Sequence, residues 1–366
     1  MADYDFLIVG CGMFGSTFAQ QMAEHGKKVL IIEKRSHIGG NCYTENIKNI
    51  NLHKYGPHIF HTNIDKAWEY VNRFAKFNNF VNRPKVRYKD KLYSFPINLM
   101  TLYQLWGVKT PAEAKRKLEH VVIPKSNPAN LEEWILSQVG EEIYRIFIKG
   151  YTTKQWGREP KELPASIMKR IPIRLNFDDN YYNEKYQGIP VGGYKRLFEH
   201  ILDGIEVRLN TDYFEARDHW DSIASAIVYT GKIDEYFGYK FGELEYRSLR
   251  FESKVLNGDY QGNAVINYTE ESVPFTRITE HKHFEFKNQR KTVVTWEYPD
   301  DYDQSKIPYY PINNKRNDEL YNLYRQEAKK QDRLIFGGRL ATYSYLDMGQ
   351  TIFKALTACE KIKEMQ

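Results

Sequence analysis

The sequence predicts an α/β fold in which a parallel-sheet domain is interrupted twice, first by helices and then by antiparallel strands. Three observations predict it. The opening stretch from Tyr4 to Asn41 reads strand, glycine turn, helix, strand; the texture from about Asn63 to Gly150 has helical periodicity with few strand signals; and from about Tyr239 to Pro308 short segments such as Lys291 to Tyr298 alternate as antiparallel strands do. At 366 residues and 42% hydrophobic content, roughly two to three domains with real cores are expected.

In the opening stretch, the apolar run Phe6 to Val9 leads into Gly10, Gly12 and Gly15 at G-x-G-x-x-G spacing, and a helix follows to His25 with Gly26 placed to end it. A second apolar run, Val29 to Ile32, ends at Glu33, eighteen residues past Gly15. This is a Rossmann-like βαβ unit suited to a dinucleotide. One glycine allows the sharp turn, one lets backbone N–H groups approach a pyrophosphate, one lets helix pack on strand, and the acid meets a ribose 2′-hydroxyl. A carboxylate there repels a 2′-phosphate, which disfavours NADP and leaves NAD and FAD. The competing reading is a structural turn without a cofactor. Lys34 follows, and then a second glycine pair, Gly39 and Gly40, before Asn41. In this the chain resembles glycine-rich FAD proteins, whose motif runs on past the acid to a second Gly-Gly.

Formal charge is +6, with basic residues scattered among acidic ones, so nucleic acid is not an expected partner. A solvated surface and an anionic small-molecule substrate both fit. The 28 tyrosines suit a site that sandwiches rings or sugars, although most tyrosines straddle core and surface. Cys11, Cys42 and Cys359 form no C-x-x-C pair, and the odd count fits a reducing cytoplasm. No basic leader is read at the start and no apolar run approaches the ~20 residues of a membrane span, so a soluble protein without a membrane partner is expected. Tyr55 to Thr62, containing His58 and Ile59, is rich in imidazoles but lacks His-x-x-x-His spacing and nearby carboxylates, so no metal is expected. His58 is read either beside the cofactor or as a satisfied loop histidine.

Thr110-Pro111-Ala112-Glu113 and Asn130-Leu131-Glu132-Glu133 carry helix-start signatures. Phe147 to Gly157 interleaves aromatic, hydroxyl and amide groups, fit to stack a base or meet a sugar. Arg170 and Arg174, separated by a proline, make a loop able to clamp a diphosphate. A helix to Ile201 and a buried strand Ala226 to Tyr229 return to the nucleotide domain, and Arg247, Arg250 and Arg277 lie on the alternating strands as one wall of a substrate cleft. Leu334 to Phe336 reads as a strand ahead of Gly337, Gly338 and Arg339. Asp347 is a candidate N-cap for a helix from Met348 towards Ile362. That helix N-terminus and Arg339 are suited to stabilise negative charge on a reduced flavin; the plainer reading is a capped terminal helix with a surface arginine.

GCGMFG (Gly10 to Gly15), EKRSHIGGN (Glu33 to Asn41), YGPHIFHT (Tyr55 to Thr62), GYTTKQWG (Gly150 to Gly157), FTRITEHKHF (Phe275 to Phe284) and FGGRLATYSYLDM (Phe336 to Met348) together resemble the bacterial UDP-galactopyranose mutases over nearly the full length. The resemblance implies an isomerase that interconverts UDP-galactopyranose and UDP-galactofuranose without net redox change. It implies FAD that is active when reduced, its N5 acting as nucleophile at the anomeric carbon. The product would supply cell-surface polysaccharide biosynthesis, and the partners implied are the two UDP-sugars, an unidentified flavin reductant and a second copy in a homodimer. FAD would be held by Gly10, Gly12, Phe14, Gly15, Glu33, Lys34, Gly40, Asn41, His58, Ile59, Gly338, Arg339, Asp347, Met348 and Thr351. Uridine and its ribose would be held by Phe147, Thr152, Trp156 and Tyr181, with Asn82 and Asn267 in support. Arg170 and Arg277 would bind the diphosphate, among Tyr151, Tyr310, Tyr345 and the strand residue Arg247, and with His58 they form the catalytic set. Arg339 stands where many FAD oxidoreductases carry Asp, which favours the mutase over an FAD-dependent amine oxidase-like enzyme. A non-catalytic UDP-sugar binder is the other rival.

The domain boundaries expected are 1–65, 187–238 and 316–366 for the FAD-binding domain, 66–165 for the helical domain, 166–186 for a mobile loop and the start of the substrate sheet, and 239–315 for the antiparallel-sheet substrate domain.

Overall fold

Residues 2–165 and 173–364 are described by the structure, a computed structural model. The chain divides into two compact units, one made of Met1–Phe80, Glu184–Tyr246 and Tyr310–Gln366, the other of Val81–Asn183 and Arg247–Tyr309.

The first unit is built on a five-stranded sheet in the order Leu334–Phe336, Ala224–Tyr229, Tyr4–Val9, Val29–Ile32, Glu206–Arg208, with every neighbouring pair parallel. Parallel strands covered on both faces need apolar residues at successive positions. The first strand shows why: Phe6 and Ile8 enter one buried cluster with Phe14, Phe18 and Ile352, while Leu7 enters another with Leu30, Tyr213 and Trp220. Helix Met13–Glu24 starts at Gly12 and ends at His25 before Gly26, and the terminal helix Met348–Glu364 packs its Ile352, Ala355 and Cys359 into the same core. Helix Asp65–Asn72 belongs to this unit as well, because Ala67, Tyr70 and Val71 are buried in that cluster. Its residues carry the helical texture that the sequence reading placed at the start of a separate helical domain.

The second unit joins helices and sheet around one core. Its strands run in the order Tyr246–Asn257, Lys291–Asp301, Arg277–Glu280, Val265–Tyr268, Lys85–Tyr88, Lys91–Ser94; all pairs are antiparallel except Val265–Tyr268 with Lys85–Tyr88. The last two strands correct the reading of 63–150 as almost wholly helical. They form a hairpin whose Val86 and Tyr93 are buried, turning at Lys89 with φ 53°; the outward lysines and arginine mask the alternation. Val86, Tyr93 and Phe95 share a cluster with Leu102, Ile135, Ile143 and Phe147, so the helical and antiparallel stretches share a core. The helix-start signatures act as expected: Thr110 Oγ1 accepts from Glu113 N at 3.2 Å, and Asn130 Oδ1 accepts from Glu133 N at 2.9 Å. Helix Leu131–Ile143 continues through a wider π-helical segment, Tyr144–Lys149, into helix Gly150–Trp156.

Glu280 anchors one end of this sheet. Its side chain is fully buried and accepts hydrogen bonds from Tyr260 N at 2.9 Å, Gln261 N at 2.8 Å and Thr292 Oγ1 at 2.7 Å, with His283 Nε2 at 3.3 Å. Asp259 stands close by, and Lys282 Nζ meets its Oδ1 at 2.6 Å. Burial alone raises the Glu280 carboxyl, but His283 and these donors outweigh it and bring it down to about 2. A folded-state value below the unfolded one contributes stability that is present above about 4.5 and lost as pH falls towards about 2. Glu280→Gln is therefore expected to lose about 3 kcal/mol at neutral pH and to flatten acid unfolding between those limits, as read by denaturant melts across pH. A variant curve parallel to the native one would rule this out.

Candidate active site

The glycine turn of the first unit has the geometry of a phosphate cradle. Gly10 has φ 105°, and a side chain there would meet Thr230 Oγ1 at 2.1 Å, while a Cβ on Gly15 would lie 2.1 Å from Gly10 O. The first therefore serves the turn and the second the close packing of helix on strand. Gly12 differs: among the described residues, its own chain neighbours apart, a Cβ added to it meets nothing within 4 Å. Its open side has room for a ligand. Gly40 crosses above it, where an added Cβ would lie 3.1 Å from Gly12 Cα, and Gly39 N donates to Cys11 O at 2.8 Å. The two glycine motifs thus form one backbone surface.

Glu33 lies at the end of its strand, buried, accepting from Cys11 N and Arg35 N, each at 2.9 Å. A carboxylate has lone pairs beyond these two bonds, so a ribose hydroxyl can still be accommodated. Lys34 is exposed. Arg35 donates to Asn41 Oδ1 at 2.9 Å and lies 4.6 Å over the Tyr55 ring, and its buried Nη1 has no hydrogen-bond partner among the described residues. An orphaned buried donor beside a glycine cradle fits a bound nucleotide. Phe14 packs where a Cβ on Gly337 would touch its ring at 2.1 Å, and 3.5 Å from one on Gly338.

Asp347 caps the terminal helix reciprocally: its Oδ1 accepts from Gln350 N at 2.7 Å and its own N donates to Gln350 Oε1 at 3.2 Å. Burial raises the Asp347 carboxyl, opposed by the Gln350 amide and by His61 and Arg339. Thr351 Oγ1 closes the turn on Asp347 O at 2.6 Å, next to Met348. Arg339 Nη2 donates to Leu346 O at 2.6 Å, and its guanidinium lies 4.8 Å over Tyr345, which stacks on Tyr310 at 5.6 Å. His58 is held by its own loop, Nδ1 against Gly56 O at 2.9 Å, and the adjoining Ile59 is buried.

The second unit gathers the residues read as uridine contacts. Phe147 lies in the π-helical segment, parallel to Phe95 at 6.3 Å, and Tyr181 approaches Phe95 at 6.1 Å. Trp156 packs against the same cluster, and Tyr181 N donates to Asn82 O at 2.8 Å. Thr152 and Asn82 are buried. Asn82 Oδ1 and Gln155 Oε1 are buried acceptors with no partner among the described residues; the sequence reading did not single out Gln155. Asn267 and Arg277 are opposite each other on paired strands. Arg277 Nη2 donates to Tyr151 OH at 2.9 Å and lies 3.5 Å from the buried Glu297 carboxylate. Burial raises both the Tyr151 hydroxyl and the Glu297 carboxyl, and in each case Arg277 opposes the shift.

Arg247 has a different task from the cleft-wall role read from its strand position. It is buried, its Nε donates to Gln155 O at 3.1 Å and Nη2 to Lys154 O at 3.4 Å, and it pairs with Asp301. It closes the carbonyl end of helix Gly150–Trp156. Arg170 lies outside the described residues.

Comparison with known proteins gives the family and the fold. Residues 146–345 match the family model described as UDP-galactopyranose mutase, and residues 8–74 match an NAD(P)-binding Rossmann-like domain. The chain is 42% identical to a probable UDP-galactopyranose mutase of Klebsiella pneumoniae, covering 99% of this chain and 95% of that protein. It is 40% identical to a dTDP-fucopyranose mutase of Escherichia coli over 97% of each. A crystal structure of reduced UDP-galactopyranose mutase superposes with a TM-score of 0.78 at 15% identity, covering 99% of this chain and 96% of that one, which supports the fold. The dinucleotide cradle, the implied flavin and the full-length similarity converge: the chain belongs to the UDP-galactopyranose mutase family.

Proposed function

We propose that this protein interconverts UDP-galactopyranose and UDP-galactofuranose with reduced FAD as its cofactor. Family membership supports the reading, and the observation that carries it is the Arg277–Tyr151 pair in the unit that holds the aromatic cluster. A guanidinium supplies paired donors for a phosphate, and flat rings supply stacking surface for a base. In this reading Phe147, Trp156 and Tyr181 take the uracil and ribose, Thr152 and Asn267 assist, and the orphaned acceptors of Asn82 and Gln155 meet donors of the nucleoside. Arg277, with Tyr151 and with Arg170 as second arginine, takes the diphosphate and offsets charge as the anomeric C–O bond breaks. Within the first unit, Arg339 and Asp347, which caps a helix N-terminus, are read as cofactor contacts, and Tyr345 and Tyr310 as substrate contacts. When bound, reduced FAD supplies a nucleophilic N5 for the anomeric carbon, so the sugar rearranges without net redox change. We place the enzyme in the cytoplasm as a homodimer served by a separate reductant, feeding galactofuranose to cell-surface polysaccharides.

The test is incubation with UDP-galactofuranose and chromatography of UDP-galactopyranose, with dithionite-reduced and air-oxidised protein side by side. Turnover is expected only in the reduced sample, because N5 of the oxidised ring is electron-poor and a weak nucleophile, whereas two-electron reduction makes it electron-rich. Equal turnover after air oxidation would remove the mechanism. The similarity to the fucopyranose mutase favours a second reading, in which the nucleotide is dTDP and the sugar fucose. Parallel kcat/KM values for the two furanose substrates decide between them.

A further inference from the structure

We infer that Lys154 is a positioning residue for the diphosphate end of the site: its ammonium fastens helix Gly150–Trp156 to the turn that delivers Arg277. The inference rests on the proposed reading of Arg277 as a diphosphate ligand. Lys154 Nζ donates to four main-chain carbonyls, those of Tyr268 at 2.8 Å, Glu270 at 2.7 Å, Val273 at 2.9 Å and Phe275 at 3.0 Å. An ammonium has three hydrogens, so at least one is shared, and the ring of oxygens encloses the charge as a bound cation would be enclosed. The four carbonyls run from the last residue of strand Val265–Tyr268 along the short connection that leads to strand Arg277–Glu280. Arg277 is two residues beyond the last of them.

The same connection touches the start of the helix. A Cβ on Gly150 would lie 2.3 Å from Thr269 O, and Thr269 Oγ1 donates to Ile146 O at 2.6 Å. Lys154, one turn further on, makes the second attachment. Between the two attachments lie Tyr151, whose hydroxyl accepts from Arg277, and Thr152. The Arg277–Tyr151 contact is therefore bracketed by fasteners that hold its two sides together. Lysine suits this place better than arginine, because a compact point charge fills a ring of carbonyls that a planar fork cannot. Burial pushes the ammonium down to about 8, with Glu270 and Glu271 opposing. Such a charge is costly to hold away from water unless hydrogen-bonded, and here the carbonyls meet that requirement.

The test uses the full-length FAD-loaded protein, with UDP affinity by calorimetry, steady-state kinetics of the reduced enzyme, and amide hydrogen exchange over 268–277. Lys154→Ala is expected to weaken UDP binding about tenfold and to lower kcat/KM by at least as much, since small misplacements of a positioning group carry penalties of this size. Exchange in that segment should speed up while the nucleotide turn at 10–15 exchanges as before. Potassium or ammonium chloride, either cation small enough for the vacated ring, should restore part of the UDP affinity; choline chloride should not. Lys154→Arg, which keeps the charge and some donors, should fall between native and alanine, and serves alone if the alanine chain does not fold. Native UDP affinity in the alanine variant, or in the arginine variant where only that folds, would overturn the inference, and faster exchange with native affinity would do so equally. Failure of the native holoenzyme to bind UDP would instead overturn the proposed function.

Discussion

Arg277→Ala is expected to lower kcat by about 10²–10³, with KM changed less, because charge develops on the diphosphate as the anomeric bond breaks and a donor aimed at it strengthens in the transition state. The geometry also supplies a rival account. Glu297 is buried 3.5 Å from the Arg277 guanidinium, and a strand arginine kept only to balance that carboxylate would affect stability instead. Leaving a buried charge uncompensated costs about 3–5 kcal/mol, so Arg277→Ala alone confuses the two effects. Arg277→Lys separates them. It keeps a cation for Glu297 but loses the fork that serves Tyr151 and a phosphate together. The lysine variant should keep most of its melting temperature and still lose most of its kcat/KM. Native kinetics in the lysine variant, with a low melting temperature in the alanine variant, would make Arg277 a structural residue.

Gly12→Val is expected to abolish FAD retention with little change in the stability of the cofactor-free protein. The backbone at Gly12, with φ −84° and ψ −171°, is one that any residue adopts, and among the described residues an added Cβ meets nothing within 4 Å beyond its chain neighbours. What a valine side chain would enter is the space above the turn, where a pyrophosphate must approach the backbone N–H groups. Gly15 provides the contrast, since a side chain there would collide with Gly10 O at 2.1 Å and disturb the packing of helix on strand. Gly15→Val should therefore lose the fold along with the flavin. Flavin absorbance after purification, with melting temperatures compared between apo-proteins to remove the stabilisation that binding confers, distinguishes the two. A yellow, stoichiometrically loaded Gly12→Val protein would show that the nucleotide lies elsewhere.

What could be read from the sequence alone was whatever is written within a few residues. The apolar runs at Phe6–Val9 and Val29–Ile32 became neighbouring parallel strands, and Thr110, Asn130 and Asp347 each cap the helix that follows them. Periodicity, glycine spacing and caps act over one or two turns, so the order of residues determines them before any tertiary contact forms. The motifs also carried the family. Tertiary structure decided the rest. The hairpin Lys85–Tyr88 and Lys91–Ser94 was hidden because its outward residues are charged and its strands are short; it is stable only as the edge of a sheet whose other strands come from about 180 residues later in the chain. Arg247 and Arg277 sit on strands of one sheet and look alike in sequence. Packing alone gives the first to the helix carbonyls of Lys154 and Gln155, and sets the second against Tyr151. The carbonyl ring around Lys154 has no side-chain signature at all, since its ligands are main-chain oxygens present in every residue. Only the path of the backbone from Tyr268 to Phe275 brings those oxygens around one ammonium, because a local pattern fixes which way a residue faces and the packing of distant segments fixes what it meets.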